Sequence, residues 1–214
     1  MENVNLILFI CLFIPMSMML FIFKGQSRLI CGFLLMGMFA CVFSGEINGL
    51  IMNTYNLDIN DVSINIAPLV EEIVKAFPII LVSLLYKPTK QQIGEYALSV
   101  GVGFATLENI SILVSTQNIS FIYAFLRAIG AGMMHGICTL LIGIVIRNII
   151  NKKKIVVSGM LAALSVSVIY HSIYNMLVLS KYILVGTILP IVTFVIIILI
   201  DYFYRKNNEI KIEK

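Results

Sequence analysis

The chain has 214 residues, of which 60% are hydrophobic and only 12% are charged, and its formal net charge is +4. Its mean hydropathy of +1.01 excludes an ordinary soluble domain, in which about half of the residues are apolar and about a quarter are charged. Too little polar sequence lies between the apolar runs to form a second domain. The composition therefore predicts one all-α integral membrane domain over residues 1–214.

Apolar runs, taken in chain order, predict a polytopic bundle of about seven transmembrane helices. About 20 apolar residues are needed to cross a hydrocarbon core of about 30 Å. The last turn, at Lys181, is so short that six or eight spans also agree with the sequence. The predicted spans cover residues 4–23, 29–50, 65–86, 91–114, 120–146, 155–180 and 182–204, and the turns between them are Lys24–Arg28, Asn53–Ser63, Lys87–Lys90, Ser115–Asn118, Arg147–Lys154 and Lys181.

Basic residues are distributed unequally between the two sides of this predicted bundle. Twelve of the 15 lysines and arginines fall in alternate turns or in the C-terminal tail, whereas the opposite turns hold only Lys181. Because basic loops stay in the cytoplasm, this asymmetry predicts an outer N-terminus and a cytoplasmic C-terminus. The Lys152–Lys154 run then faces anionic lipid head groups, and nothing indicates nucleic-acid binding.

Ionisable side chains also occur inside the predicted spans. Each charge near the bilayer centre costs about 2.5–3.5 kcal/mol on insertion scales, so five unpaired charges would cost on the order of 12–18 kcal/mol. Such groups must pair with each other, bind a ligand or line water. They are Glu71, Glu72, Lys75, Glu108 and Arg127, and the histidines His135 and His171 lie in spans as well.

Two pairings are expected from spacing and topology. Glu71 and Lys75 are four residues apart and share a helix face, whereas Glu72 is turned about 100° away from Glu71. Arg127 and Glu108 lie on adjacent antiparallel helices at similar distances from their shared turn. For Glu108, a structural ion pair with Arg127 and a catalytic role both remain open.

The depths of the polar groups agree with one another. At 1.5 Å per residue, Glu72 lies about 11 Å and Glu108 about 9 Å below the outer ends of their helices. The same count places His135 and His171 about 14 Å deep and Asn175 about 8 Å deep. Four helices therefore present acids, imidazoles and an amide in the outer half of the bilayer, where the groups can meet.

The ordered set of these residues resembles the PrsW family of intramembrane proteases, which is related to the type II CAAX prenyl-protease (Abi) superfamily. The resemblance covers about residues 65–175, and each block lies on its own helix. Glu108 stands where the CAAX-type relatives have histidine, so a prenylated substrate is not implied. The blocks are Glu71-Glu72-x-x-Lys75, Phe104-x-x-x-Glu108-Asn109, His135 and His171-x-x-x-Asn175.

The resemblance implies an endopeptidase of the bacterial cytoplasmic membrane. Its expected substrate is a membrane-anchored protein, such as an anti-sigma factor, or a precursor peptide, cut near the outer half of the bilayer. The implied catalytic residues are Glu71, Glu72, His135, His171 and Asn175. Four further residues are expected to support them: Lys75, Glu108, Asn109 and Arg127.

Two mechanisms agree with these residue types. In the first, Glu71 or Glu72 is the general base on a water molecule, a histidine orients the water, and Asn175 with a histidine stabilises the oxyanion. In the second, Glu108, His135 and His171 bind Zn²⁺, which makes bound water more acidic. The first mechanism is favoured. Two histidines and one glutamate are a suitable zinc set, but no H-E-x-x-H motif occurs, and the residues do not require a metal.

Two other function classes remain as alternatives. A scaffold subunit of the γ-secretase complex resembles the same superfamily without being catalytic, so a non-catalytic membrane scaffold is one alternative. An ion-coupled or proton-coupled transporter is the other, because intramembrane acids and histidines also form proton relays. The sequence shows no internal repeat of the kind that transporters usually contain.

Overall fold

The computed structural model describes residues 4–86, 88–116, 120–149 and 155–212. Within these ranges the chain is helical and contains no strand. Parts of three predicted turns lie outside them, including Lys87, Asn118 and Lys152–Lys154. The helices are α1 (Val4–Ile22), α2 (Gly25–Tyr55), the single turn α3 (Ile59–Asp61), α4 (Ala67–Leu85), α5 (Lys90–Ser115), α6 (Phe121–Ile149), α7 (Val156–Val178) and α8 (Ile183–Ile212).

The seven long helices correspond one to one to the predicted spans, which confirms the all-α bundle. Five of them, α2 and α5 to α8, are long and apolar enough to cross a membrane by length and composition. The apolar part of α1 is shorter, Ile7–Ile22. Helix α4 has 19 residues but contains Glu71, Glu72 and Lys75. All three of these charged residues lie in the first half of the helix.

The predicted turn Asn53–Ser63 differs from the structure. Helix α2 continues to Tyr55 and ends at Asn56, whose φ of 50° is left-handed, and the one-turn α3 follows, with Asp58 as its N-cap. A π-helical turn, Val62–Ile66, then leads directly into α4. Polar composition suggested a loop here, but local capping bonds keep the segment helical.

Helix α5 lies at the centre of the bundle, between α2 and α6. Its small residues explain this position. A side chain at Gly103 would collide with the carbonyl of Leu34 on α2, and one at Gly101 would collide with Thr139 and the backbone of α6. Glycine thus lets three backbones approach closely, as small residues do in membrane bundles. The close approach brings Glu108 and His135 towards each other.

The basic ends of the helices lie together. At the start of α2, Gln26 bonds Glu95 and Gln92 near the start of α5, at 2.5 Å and 3.1 Å. Arg147 near the end of α6 donates to the carbonyl of Lys90 at 3.5 Å. We call this the basic end of the bundle. The π turn and the end of α7, which are linked by a hydrogen bond, lie at the opposite end.

Candidate active site

The acid pair of α4 is buried, and its lysine bonds the second acid. Lys75 Nζ lies 2.6 Å from Glu72 Oε1, and both side chains are fully buried. The expected pairing of Glu71 with Lys75 is therefore wrong. Spacings of three and four residues both bring helical side chains together. The neighbouring helices determine which acid pairs with Lys75, because Glu72 Oε1 also accepts a hydrogen bond from His171 Nδ1 on α7 at 2.9 Å.

His135 on α6 connects Lys75 to Glu108. Its Nδ1 lies 2.7 Å from Lys75 Nζ, and its Nε2 lies 3.0 Å from Glu108 Oε2. An ammonium group only donates hydrogen bonds, so Nδ1 accepts and Nε2 carries the hydrogen that is donated to Glu108. The two contacts thus fix one tautomer of a neutral, fully buried imidazole.

Glu108 also contacts Arg127. This is the structural ion pair that was one of the two alternatives for this acid. Arg127 Nη2 lies 3.4 Å from Glu108 Oε2. Acids, imidazoles and basic groups from four helices are therefore joined in one continuous series of contacts. We call this sequence of contacts the charge chain: Arg127, Glu108, His135, Lys75, Glu72, His171 and Glu71.

The charge chain ends at Glu71 with an incomplete contact. His171 donates through Nδ1 to Glu72, so its Nε2 is an acceptor in the neutral ring. This Nε2 lies 3.8 Å from Glu71 Oε2, too far for a hydrogen bond. Both atoms are buried, and neither has a hydrogen-bond partner among the described residues. A buried polar atom without a partner requires an explanation, and a catalytic role or a bound water molecule is one.

Aromatic packing holds the imidazoles in place. The Phe104 ring lies 4.8 Å from the His135 ring, centroid to centroid, and Lys75 Nζ lies 4.5 Å from the Phe104 centroid. The His135 and His171 rings meet edge to face at 4.9 Å. The lysine ammonium therefore has a cation–π contact in addition to its polar partners.

The two asparagines have different surroundings. Asn175 Nδ2 donates to the carbonyl of Ser63 in the π turn at 2.8 Å. Asn109 is buried beside Glu108, and its Oδ1 has no hydrogen-bond partner in the part of the chain that the structure describes. Ser63 was missed by sequence reasoning, because a backbone carbonyl leaves no signal in the residue type.

A metal fits these residues only in part. One ligand atom each from Glu71, His135 and His171 lie within 4.8 Å of one another. The sequence suggested Glu108 as the carboxylate ligand, but this set contains Glu71 in its place. Glu108 instead contacts His135 and Arg127. Two histidines and one glutamate are a known catalytic zinc set. Glu71 Oε2 and His171 Nε2 are free to ligate, whereas both nitrogens of His135 already have protein partners.

The chain was compared with known protein families, with curated proteins and with solved structures. The family described as "PrsW family intramembrane metalloprotease" matches residues 25–200, a range that includes every helix of the charge chain. Searches of curated proteins and of solved structures gave no match. The match covers most of the chain, and we conclude that it belongs to the PrsW family of intramembrane proteases.

Proposed function

We propose that Glu71 is the general base of a hydrolytic reaction on a peptide bond within the membrane. The observation that carries this proposal is the pair of orphaned acceptors, Glu71 Oε2 and His171 Nε2, which are buried and 3.8 Å apart. A water molecule about 2.8 Å from each would donate one hydrogen to each acceptor. Its lone pairs would then be free to attack a carbonyl carbon.

The proton balance of this step is simple. As the water oxygen bonds to the carbonyl carbon, Glu71 takes a proton from it, and the carbonyl oxygen becomes an oxyanion. When the tetrahedral intermediate collapses, the C–N bond breaks and Glu71 returns the proton to the leaving nitrogen. The carboxylate is thereby regenerated.

The other polar groups position these reactants. Glu72 accepts from His171 Nδ1 and so keeps Nε2 as an acceptor that faces Glu71. Asn175 uses one N–H on Ser63 and has a second, since an amide nitrogen carries two hydrogens. That second hydrogen is our candidate donor to the oxyanion.

We further propose that the substrate is a membrane-anchored protein or a precursor peptide, cleaved in the outer half of the bilayer. The acid pair lies near the start of α4 and His171 near the end of α7, far from the basic end. Positive residues favour the cytoplasmic side, so the site lies towards the outer side in this orientation. An anti-sigma factor is one substrate of this type.

If the enzyme binds Zn²⁺, the residues that would hold it are Glu71, His135 and His171. A bound zinc ion supplies a Lewis acid and makes its water more acidic. Glu71 and His171 would then be ligands and could not also hold a water molecule between them. Glu72, whose Oε2 has no hydrogen-bond partner among the described residues, would be the α4 acid left to accept the proton. The metal-free arrangement proposed above does not need the ion.

The proposal is tested by comparing Glu71→Gln with Glu72→Gln in reconstituted protein supplied with single-span candidate substrates. We expect Glu71→Gln to lower the cleavage rate by about 10²- to 10⁴-fold with little change in unfolding, because Glu71 bonds no described residue. Glu72→Gln should also destabilise the fold by about 3–5 kcal/mol, since it deprives Lys75 of its anionic partner.

Glu46→Gln serves as the control, because Glu46 is an exposed acid on α2 that forms no salt bridge with the described residues. It should leave both the rate and the unfolding transition unchanged. Undiminished cleavage by the Glu71→Gln variant would contradict the proposed role of Glu71.

A further inference from the structure

A deep apolar groove lies at the basic end of the bundle, away from the charge chain. It is formed by α1, α2, the second half of α4 and the start of α5, and its volume is about 940 Å³. This volume is at the upper end of the range of about 300–1,000 Å³ found for small-molecule sites. The lining is almost entirely apolar, with Phe13, Leu29, Met36, Phe39 and Leu81 among its residues.

The depth of the groove matches one leaflet of a membrane. Along α2 the groove extends from Arg28 to Phe39, which is about 16 Å at 1.5 Å per residue. Half of a hydrocarbon core of about 30 Å is about 15 Å. A transmembrane helix of a substrate would need about twice this depth, whereas acyl chains of one leaflet would fill it.

The rim of the groove carries a positive charge without a partner. Arg28 is exposed, and it forms no salt bridge with any residue that the structure describes. Tyr86 and Gln92 line the same rim and can donate hydrogen bonds. A guanidinium group beside such donors is suited to a phosphodiester.

We propose that this groove binds an anionic phospholipid from the leaflet at the basic end. The acyl chains lie between α1, α2 and α4, and the phosphate contacts Arg28. Basic sites between transmembrane helices on the cytoplasmic side are typical of head-group binding. The proposal goes beyond proteolysis and does not depend on which residue is the catalytic base.

The test uses the full-length protein in phosphatidylcholine vesicles that contain a minor fraction of a photoreactive lipid. The photoreactive group is on the acyl chain, and the head group is either phosphatidylglycerol or phosphatidylcholine. After illumination, mass spectrometry of the labelled peptides locates the lipid. We expect the phosphatidylglycerol probe to label the groove segments of α1, α2 and α4 about fivefold more than the phosphatidylcholine probe.

Three variants separate the head-group contact from the acyl-chain contact. Arg28→Gln should remove the fivefold preference, whereas Lys24→Gln, at an exposed lysine outside the lining, should keep it. Gly32→Leu should lower labelling by both probes, because a side chain there fills the groove. The fold should tolerate it, since the nearest atom to an added Cβ is Leu20 Cδ2 at 4.0 Å.

Equal labelling by the two probes, or an unchanged preference in Arg28→Gln, would overturn the proposal. So would cross-linking that places a second copy of the chain, or a single-span peptide, in the groove in place of lipid. Substrate cleavage by the protein in the same vesicles is measured in parallel. If the wild-type protein cleaves its substrate but shows no preferential labelling by the phosphatidylglycerol probe, the lipid proposal fails and the proposed protease function stands.

Discussion

Lys75 is the residue on which the centre of the site depends. Its ammonium group is fully buried and contacts Glu72, His135 and the ring of Phe104. A buried charge is tolerated only with good partners, and removal of one partner leaves the other uncompensated. The lysine therefore fixes the positions of an acid and an imidazole from two helices.

We expect Lys75→Met to destabilise the protein by about 3–5 kcal/mol, because Glu72 would keep only His171 as its partner. The double variant Glu72→Gln with Lys75→Met should be more stable than the sum of the single changes predicts, since neither charge remains. Denaturant unfolding in detergent measures both. Strictly additive effects would show that the two side chains are not energetically coupled.

The sequence identified the polar residues of the site but not all of their partners. Charges within apolar runs must meet, and this requirement was enough to place Glu72, His135 and His171 together. It could not choose between Glu71 and Glu72 as the partner of Lys75, because spacings of three and four residues are both favourable. The choice depends on where α6 and α7 place their imidazoles, which is tertiary information.

At the scale of elements, the π turn before α4 is the feature that sequence reasoning did not predict. The span boundaries were predicted within a few residues for most helices, because hydropathy changes sharply where they end. The predicted and observed first helices, for example, are 4–23 and Val4–Ile22. Residues Asn53–Ser63 are polar, and no pattern in them distinguishes a loop from a capped helical segment held by Asn175.

We expect Asn175→Leu to loosen this π turn, because the carbonyl of Ser63 loses its donor. Hydrogen exchange over residues 59–67 should become faster, and cleavage should slow. Ser165→Ala is the control on the same helix, since Ser165 is exposed and bonds only the carbonyl of Leu161 at 2.8 Å. Slower cleavage with unchanged exchange would indicate that Asn175 acts on the oxyanion alone.

At the scale of the whole molecule, the balance of charge in the site bears on its need for a metal. Glu71, Glu72 and Glu108 face Lys75 and Arg127, so one negative charge remains if all five are ionised. A cation or a protonated carboxyl would balance it. A metal bound through His135 would have to displace Lys75 or Glu108 from the ring.

For this reason we expect cleavage to continue after the purified protein is treated with a chelator and shown by elemental analysis to contain no zinc. Lys75 and Glu108 already contact the two ring nitrogens of His135 through which a metal could bind. Loss of cleavage on chelation, with recovery on addition of zinc, would contradict this expectation and support the Glu71, His135 and His171 set.

Helix α4 takes part in both the acid pair and the groove, and Pro78 is the first residue of α4 that lines the groove. Proline has no N–H, so the carbonyl of Val74 lacks its usual helical donor, and the helix bends most easily at this point. We expect the half of α4 beside the groove to adjust when bilayer thickness changes, while the half that holds Glu71 and Glu72 keeps its geometry. A helix that bends at Pro78 in this way would let the enzyme work in membranes of different lipid composition.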